Sequence, residues 1–303
     1  MSSKLYEDLC RIVGTDAVFC DEPMSRHTTF RTGGPAEILV TPDSESLPEV
    51  IVCCRKHQIP CLVIGNGSNL VCGDGGVEGV VVEIGKRMSE ISVDGDLITA
   101  QAGALLSGIA AKAAAEGLTG FEFAAGIPGS IGGAVVMNAG AYGGEMKQVL
   151  ASVQVLTREG EVLTIPASEL ELSYRHSIVP EKGYIVLSAV LSLEKGEKSQ
   201  IYAVMEDLKK KRVEKQPLEY PSAGSTFKRP EGHFAGKLIE DAGLKGFRVG
   251  GAQVSEKHSG FVINRDHATS AEICSLMEQV QQKVLEKFGV RLEPEVKFVG
   301  KHI

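Results

Sequence analysis

The chain has 303 residues, 43% of them hydrophobic, with a formal net charge of −7. That is room for a sizeable core and on the order of two or three domains. No uninterrupted apolar run approaches the roughly 20 residues that cross a bilayer, and residues 1–14 are too charged for a secretory leader, so a cytoplasmic protein that engages no membrane is expected.

Seven cysteines, odd in number and never in Cys-x-x-Cys spacing, indicate neither a disulfide framework nor a zinc motif. The seven histidines form no His-Glu-x-x-His set, so no metal is signalled. Charge is uneven: residues 204–303 carry 17 basic against 14 acidic side chains, and the rest 15 against 25. The mild C-terminal excess fits an anionic small molecule and is too weak for nucleic acid, which would need a dense basic stripe.

In chain order, apolar residues at helical spacing predict a helix over 46–57, and a continuous apolar run predicts a buried strand over 60–64. Strands are expected at 80–84 and 97–100, then an alanine-rich helix over 105–116 closed by Gly117. Strands follow at 153–157, 161–165 and 184–193. The polar stretch 194–199 opens a long helix through Gln216, stopped by Pro217, and a domain boundary is placed at this helix. Its run Lys209, Lys210, Lys211 and Arg212 reads as a solvated face. Beyond lie a helix over 234–242, strands at 251–254 and 260–264, a helix over 270–288 and a terminal strand over 290–299. Hairpins mixed with helices make this α+β rather than a regular βαβ array.

Glycine, at 35 residues, is well above its usual share of about 7%, and much of the excess sits in two places. One is Gly65-Asn66-Gly67-Ser68-Asn69-Leu70, directly after the apolar run 61–64. The other, residues 126–145, begins Gly126-Ile127-Pro128-Gly129-Ser130 and continues through Gly132 and Gly133 to Asn138 and Ala139. Glycine removes the Cβ that keeps a ligand at a distance, so successive amides can converge on one anion. Two such loops suggest a large phosphorylated cofactor. Neither fits Gly-x-Gly-x-x-Gly or a Walker loop, which disfavours a Rossmann site and a P-loop.

Three polar clusters could carry chemistry: residues 174–177, 222–230 and 292–296. Alone, each is more often a surface pair, a turn or an exposed strand. Together with the glycine loops, the stretch Thr29-Phe30-Arg31-Thr32-Gly33-Gly34-Pro35-Ala36, Met137 to Gly143, Tyr174-Arg175, Ser222-Ala223-Gly224-Ser225 and Glu293-Pro294-Glu295, the chain resembles the UDP-N-acetylenolpyruvoylglucosamine reductase family along essentially its whole length. That resemblance implies a two-subdomain FAD-binding fold of the vanillyl-alcohol-oxidase type plus a C-terminal α+β substrate domain. The expected division is 1–75 and 76–198 for the cofactor and 199–303 for the substrate. The resemblance makes FAD the bound cofactor, NADPH the co-substrate and UDP-N-acetylglucosamine enolpyruvate the substrate, with a monomer expected. At this length, with short connections over 184–220, the chain resembles the shorter form without a tyrosine-bearing cover.

The chemistry implied is hydride addition to an enolpyruvyl ether, which leaves negative charge beside a carboxylate. By the resemblance Arg175 stabilises that charge, Glu295, best protonated, hydrogen-bonds the same group, and Ser225 delivers the closing proton. Tyr174, Lys228, Arg229 and His258 are expected to touch the substrate. Arg229 stands where many family members carry Asn. Another flavin oxidase or dehydrogenase of the same cofactor fold, acting on a different acid, is the alternative.

Overall fold

The computed structural model describes residues 3–303. The chain divides into two compact units. One holds the segment ending at Phe19, Leu39–Asn66 and Val80–Arg212; the other holds Cys20–Ile38, Gly67–Gly79 and Val213–Ile303. The chain passes from one to the other inside the strands Val18–Pro23, Pro35–Val40 and Val77–Glu83, inside the glycine loop after Asn66, and inside the helix Lys198–Lys215.

The first unit is built on a five-stranded sheet in the order Val162–Pro166, Leu150–Leu156, Ile185–Ser192, Leu97–Gln101 and Ile91–Asp94. Every pairing in it is antiparallel. In the central strand Val186, Ala189 and Leu191 are buried, and the register shifts opposite Gln154 and Val155. That irregularity accounts for the spacing of three between the first two buried positions, where an undisturbed strand would alternate by two. The helix Ile131–Val136 packs on this strand.

In the same unit Cys61–Ile64 pairs in parallel with residues 80–83. Val80, Val81 and Val82 are all fully buried, the continuous apolar run typical of a parallel strand covered on both faces. The alanine-rich helix runs Leu106–Ala115 and ends at Gly117, whose φ of 67° only glycine takes freely. Two further helices, Ser3–Val13 and Leu47–Lys56, lie against each other; Leu5, Leu9, Val13, Leu47 and Val50 are buried.

The second unit has a three-stranded antiparallel sheet, Arg248–Val249, Ala252–Val254 and Val262–Asn264. Against it packs the helix Ser270–Phe288. Thr269 and Glu272 form its capping box and Gly289, at φ 67°, its stop. Ile273, Leu276, Met277, Val280 and Val284 are buried along one face, each contributing about 1.5–3 kcal/mol of apolar burial. Phe30, Val71, Phe227 and Leu292 complete this core.

The terminal strand is shorter than predicted. Only Lys297–Val299 pairs, in parallel with Leu70–Cys72. Upstream, Pro294 forms a single bridge to Phe227, because proline has no N–H with which to continue a ladder. The long helix Lys198–Lys215 is polar around its circumference and buries only Ile201.

Candidate active site

In the first unit the strand Cys61–Ile64 delivers Gly65 beside the start of the helix Ile131–Val136. A Cβ built on Gly65 would lie 2.5 Å from Oγ of Ser130, so the two glycine-rich loops meet here. Ser130 is the N-cap, extended at φ −90° and ψ 158°, and its hydroxyl makes no capping bond. The amides of Ile131 and Gly132 donate to the carbonyls of Ala104 and Ala102, both at 2.9 Å. Among the described residues, no acceptor takes the amides of Gly65, Asn66, Gly126, Gly129 or Gly133. Uncovered amides beside a serine hydroxyl, with a hydrogen where a side chain would otherwise fill the space, fit the phosphates of FAD.

Not every glycine or amide in these loops is available. Gly132 allows close packing, since its Cβ would meet Ala102 Cβ at 3.0 Å and the Ala102 carbonyl at 3.1 Å. The amides of Ile127 and Ala139 bond to the carbonyls of Ala124 and Ala134, and Pro128 has none. In the second unit, a Cβ on Gly67 would collide with the carbonyl oxygen of His27, and φ there is 60°. The side-chain amide of Asn69 donates to the carbonyl of Glu295 at 3.1 Å.

Asn138, expected among the cofactor residues, has its side chain engaged by protein. It is fully buried with φ 44°, and its amide group is engaged by protein: Nδ2 donates to the Ser173 carbonyl at 3.1 Å and to Glu145 Oε2 at 3.2 Å, while Oδ1 accepts from Lys147 N at 2.8 Å. Its side chain holds a turn. In that turn Ser173 and His176 exchange backbone bonds, and Ser177 Oγ ties its end to the Val136 carbonyl at 2.8 Å. Tyr174 and Arg175 form the tip, with the guanidinium 5.0 Å from the tyrosine ring centroid. Arg175 has φ 56°, a left-handed conformation that costs a non-glycine residue about 1–3 kcal/mol and clusters at functional sites.

Arg212 was not anticipated. Lys209 and Lys211 follow the predicted solvated face, pairing with Glu206 and Asp207 on their own helix. Arg212 instead lies over Gly126: a Cβ there would be 3.0 Å from its Cδ and 3.2 Å from Nη1. Burial pushes its pKa down, opposed by Tyr142. The signal that could have found it is the single arginine closing a lysine run.

In the second unit Ser225 is exposed and Glu295 buried. The residue after Ser225 anchors both: Thr226 N donates to Gly260 O at 2.9 Å, its Oγ1 accepts from Val262 N at 2.8 Å, and its carbonyl accepts from Glu295 N at 2.8 Å. Gly224 precedes the serine at φ 74° with open space around it, so the backbone conformation, not crowding, calls for glycine. Thr29 Oγ1 donates to the Ser222 carbonyl at 2.7 Å, joining two motifs far apart in sequence.

Lys228 pairs with Glu293 at 3.3 Å, and Arg229 stacks 4.0 Å over the Phe234 ring. His258 Nδ1 accepts from Gly260 N at 3.1 Å, and burial lowers its pKa, so the ring is neutral with Nε2 carrying the proton. Beside it Ser259 Oγ is buried without a partner among the described residues. Arg175 thus belongs to one unit, Ser225 and Glu295 to the other.

Fold and site together define a flavin-binding α+β protein with an added C-terminal domain. Residues 35–166 match the family model described as FAD binding domain, and residues 216–299 match that described as UDP-N-acetylenolpyruvoylglucosamine reductase, C-terminal domain. The UDP-N-acetylenolpyruvoylglucosamine reductase of Agathobacter rectalis is 58% identical over 92% of this chain and 93% of its own. That of Lachnoclostridium phytofermentans is 53% identical over 100% of this chain and 99% of its own. A solved UDP-N-acetylenolpyruvylglucosamine reductase from Thermus caldophilus superposes with a TM-score of 0.80 at 36% identity, covering 91% of this chain and 97% of that one. An alkyldihydroxyacetonephosphate synthase, at 16% identity and a TM-score of 0.50 over 64% of this chain and 41% of its own, shares the fold. The chain belongs to the UDP-N-acetylenolpyruvoylglucosamine reductase family.

Proposed function

We propose that Arg175, Ser225 and Glu295 carry the reduction of UDP-N-acetylglucosamine enolpyruvate to UDP-N-acetylmuramate, the activity of an FAD-dependent oxidoreductase in peptidoglycan precursor synthesis. FAD, when bound, would supply to the enolpyruvyl double bond a hydride that originates in NADPH. The observation that carries the reading is the meeting of Gly65 with Ser130, in a chain whose relatives match it end to end. The uncovered amides of Gly65, Asn66, Gly126, Gly129 and Gly133 hold the cofactor's phosphates.

Arg175 pairs with the substrate carboxylate and stabilises the charge that builds beside it; a guanidinium stays protonated throughout, so it needs no proton of its own. Glu295, a buried side chain, hydrogen-bonds the same group. Ser225 gives the proton that completes the lactyl ether, an exposed hydroxyl on a backbone fixed by Thr226. Tyr174, Lys228, Arg229 and His258 are read as substrate contacts, His258 as a neutral donor. Residues 1–75 and 76–198 are read as the two cofactor subdomains and 199–303 as the substrate domain, whose boundary near 199 falls between the two family matches.

No helix among the described residues is long and apolar enough to cross a membrane, which supports a protein working in the cytoplasm, and we read it as a monomer that binds no nucleic acid. The test is product mass: incubation with NADPH and the enolpyruvyl nucleotide yields a species heavier by two hydrogens, one from NADPH and one from solvent. NADPH oxidation without that product would move the chain to a flavin oxidase of the same fold.

A further inference from the structure

The helix Ser3–Val13 carries Asp8, and the helix Leu47–Lys56 carries Cys53 and is closed by His57. Cys53 and His57 are four residues apart and share a helix face. His57 is fixed there by its amide, which bonds to the carbonyls of Cys53 and Arg55. His57 Nε2 lies 3.0 Å from Asp8 Oδ2, and one ligand atom each from Asp8, Cys53 and His57 all fall within 4.8 Å of one another. An ion pair between the helices would account for Asp8 and His57 alone. It would not bring a buried thiol to the same point.

We propose that Asp8, Cys53 and His57 bind one divalent transition-metal ion of the zinc class, through a carboxylate oxygen, a thiolate sulfur and an imidazole nitrogen, with water completing the coordination. Mixed oxygen, nitrogen and sulfur donors suit zinc, whereas magnesium and calcium demand more ligands and only oxygen. Binding displaces the Cys53 proton to solvent and moves no electrons. The second carboxylate oxygen of Asp8 accepts from Arg11 at 3.1 Å, which orients the ligand. Asp8 and His57 side chains keep 20% and 15% of their exposure, leaving a path for the ion. None of the three belongs to the residues assigned to flavin or substrate, so the ion clamps the first helix to the second. Sequence spacing could not reveal the site, because its third ligand comes from a distant helix.

The test uses the FAD-loaded full chain, stripped with a chelator and titrated with zinc against a chromogenic competitor, and in parallel with cobalt(II). The expected result is one ion per chain, a raised unfolding midpoint, and a cobalt–thiolate charge-transfer band. Cys53→Ser and His57→Gln should each weaken zinc by more than about 100-fold, since even groups behind the ligands are worth roughly 10–100-fold, while Cys274→Ser should bind as wild type does. Unfolding midpoints in the absence of metal, together with flavin content, show whether each variant is folded, and Asp8→Asn replaces one that is not. Absence of zinc uptake, or uptake that survives both ligand variants or depends on Cys274, would overturn the proposal.

Discussion

The side-chain amide of Asn138 donates to the carbonyl of Ser173, 3.1 Å away across 35 residues, and so the second glycine-rich segment holds the turn that presents Arg175. The second glycine-rich segment and the turn that carries Arg175 are parts of one hydrogen-bonded unit. Replacing Asn138 with Ala removes the bonds of a fully buried side chain and leaves the Lys147 amide without its acceptor, while the Ser173 carbonyl keeps the His176 amide. A loss of about 1–3 kcal/mol is expected, the scale of one orphaned group, measured by urea unfolding. The variant should also slow reoxidation of the flavin by substrate more than reduction by NADPH.

Arg175 sits at φ 56°, so its side chain is retained against a backbone preference. Arg175→Asn keeps a residue that tolerates this conformation. The thermal midpoint should be unchanged or higher, while the substrate half-reaction falls by about 100-fold or more, the scale of removing one charge-stabilising group. An unchanged rate in rapid-mixing experiments would contradict its role.

Gly65→Ala places a methyl group 2.5 Å from Ser130 Oγ and should reduce flavin retention on desalting. Adding Ser130→Gly removes the obstructing hydroxyl and should restore part of the retention. Failure of both single and double variants to alter retention would show that the meeting of these loops does not concern the cofactor.

His258 gives a pH dependence of known sign. Burial holds its folded pKa below the ordinary 6.5, so the unfolded chain takes up the proton first as pH falls. Its contribution to stability is full above about 6.5 and is lost as pH drops toward the folded value. His258→Asn, whose side-chain oxygen can accept the Gly260 amide, should flatten the decline in unfolding free energy between neutral and mildly acid pH.

Much of the fold was legible because local rules decide it: the helix read over 270–288 forms over those residues, capped by Thr269 and stopped by Gly289, and the strands read at 153–157, 161–165 and 184–193 pair antiparallel within 150–156, 162–166 and 185–192. The first helix was not read, although Leu5, Leu9 and Val13 recur four residues apart, because charged residues between them hide the stripe. The side-chain partners of Asn138 at 145, 147 and 173 are chosen by tertiary structure and could not be read from its glycine neighbours. Arg212 likewise reads in the sequence as one more cation of a solvated run, and its place over Gly126 is set by tertiary structure.

The most direct measurement follows the visible spectrum of the flavin without oxygen, in wild type and Ser225→Ala. NADPH should bleach both at similar rates. Addition of UDP-N-acetylglucosamine enolpyruvate should promptly restore the oxidised spectrum of the wild type and do so roughly 10²–10⁴-fold more slowly in the variant, the range expected for a lost proton donor. A wild-type flavin that stays reduced would contradict the activity, and equal reoxidation in the two proteins would remove Ser225 from the chemistry.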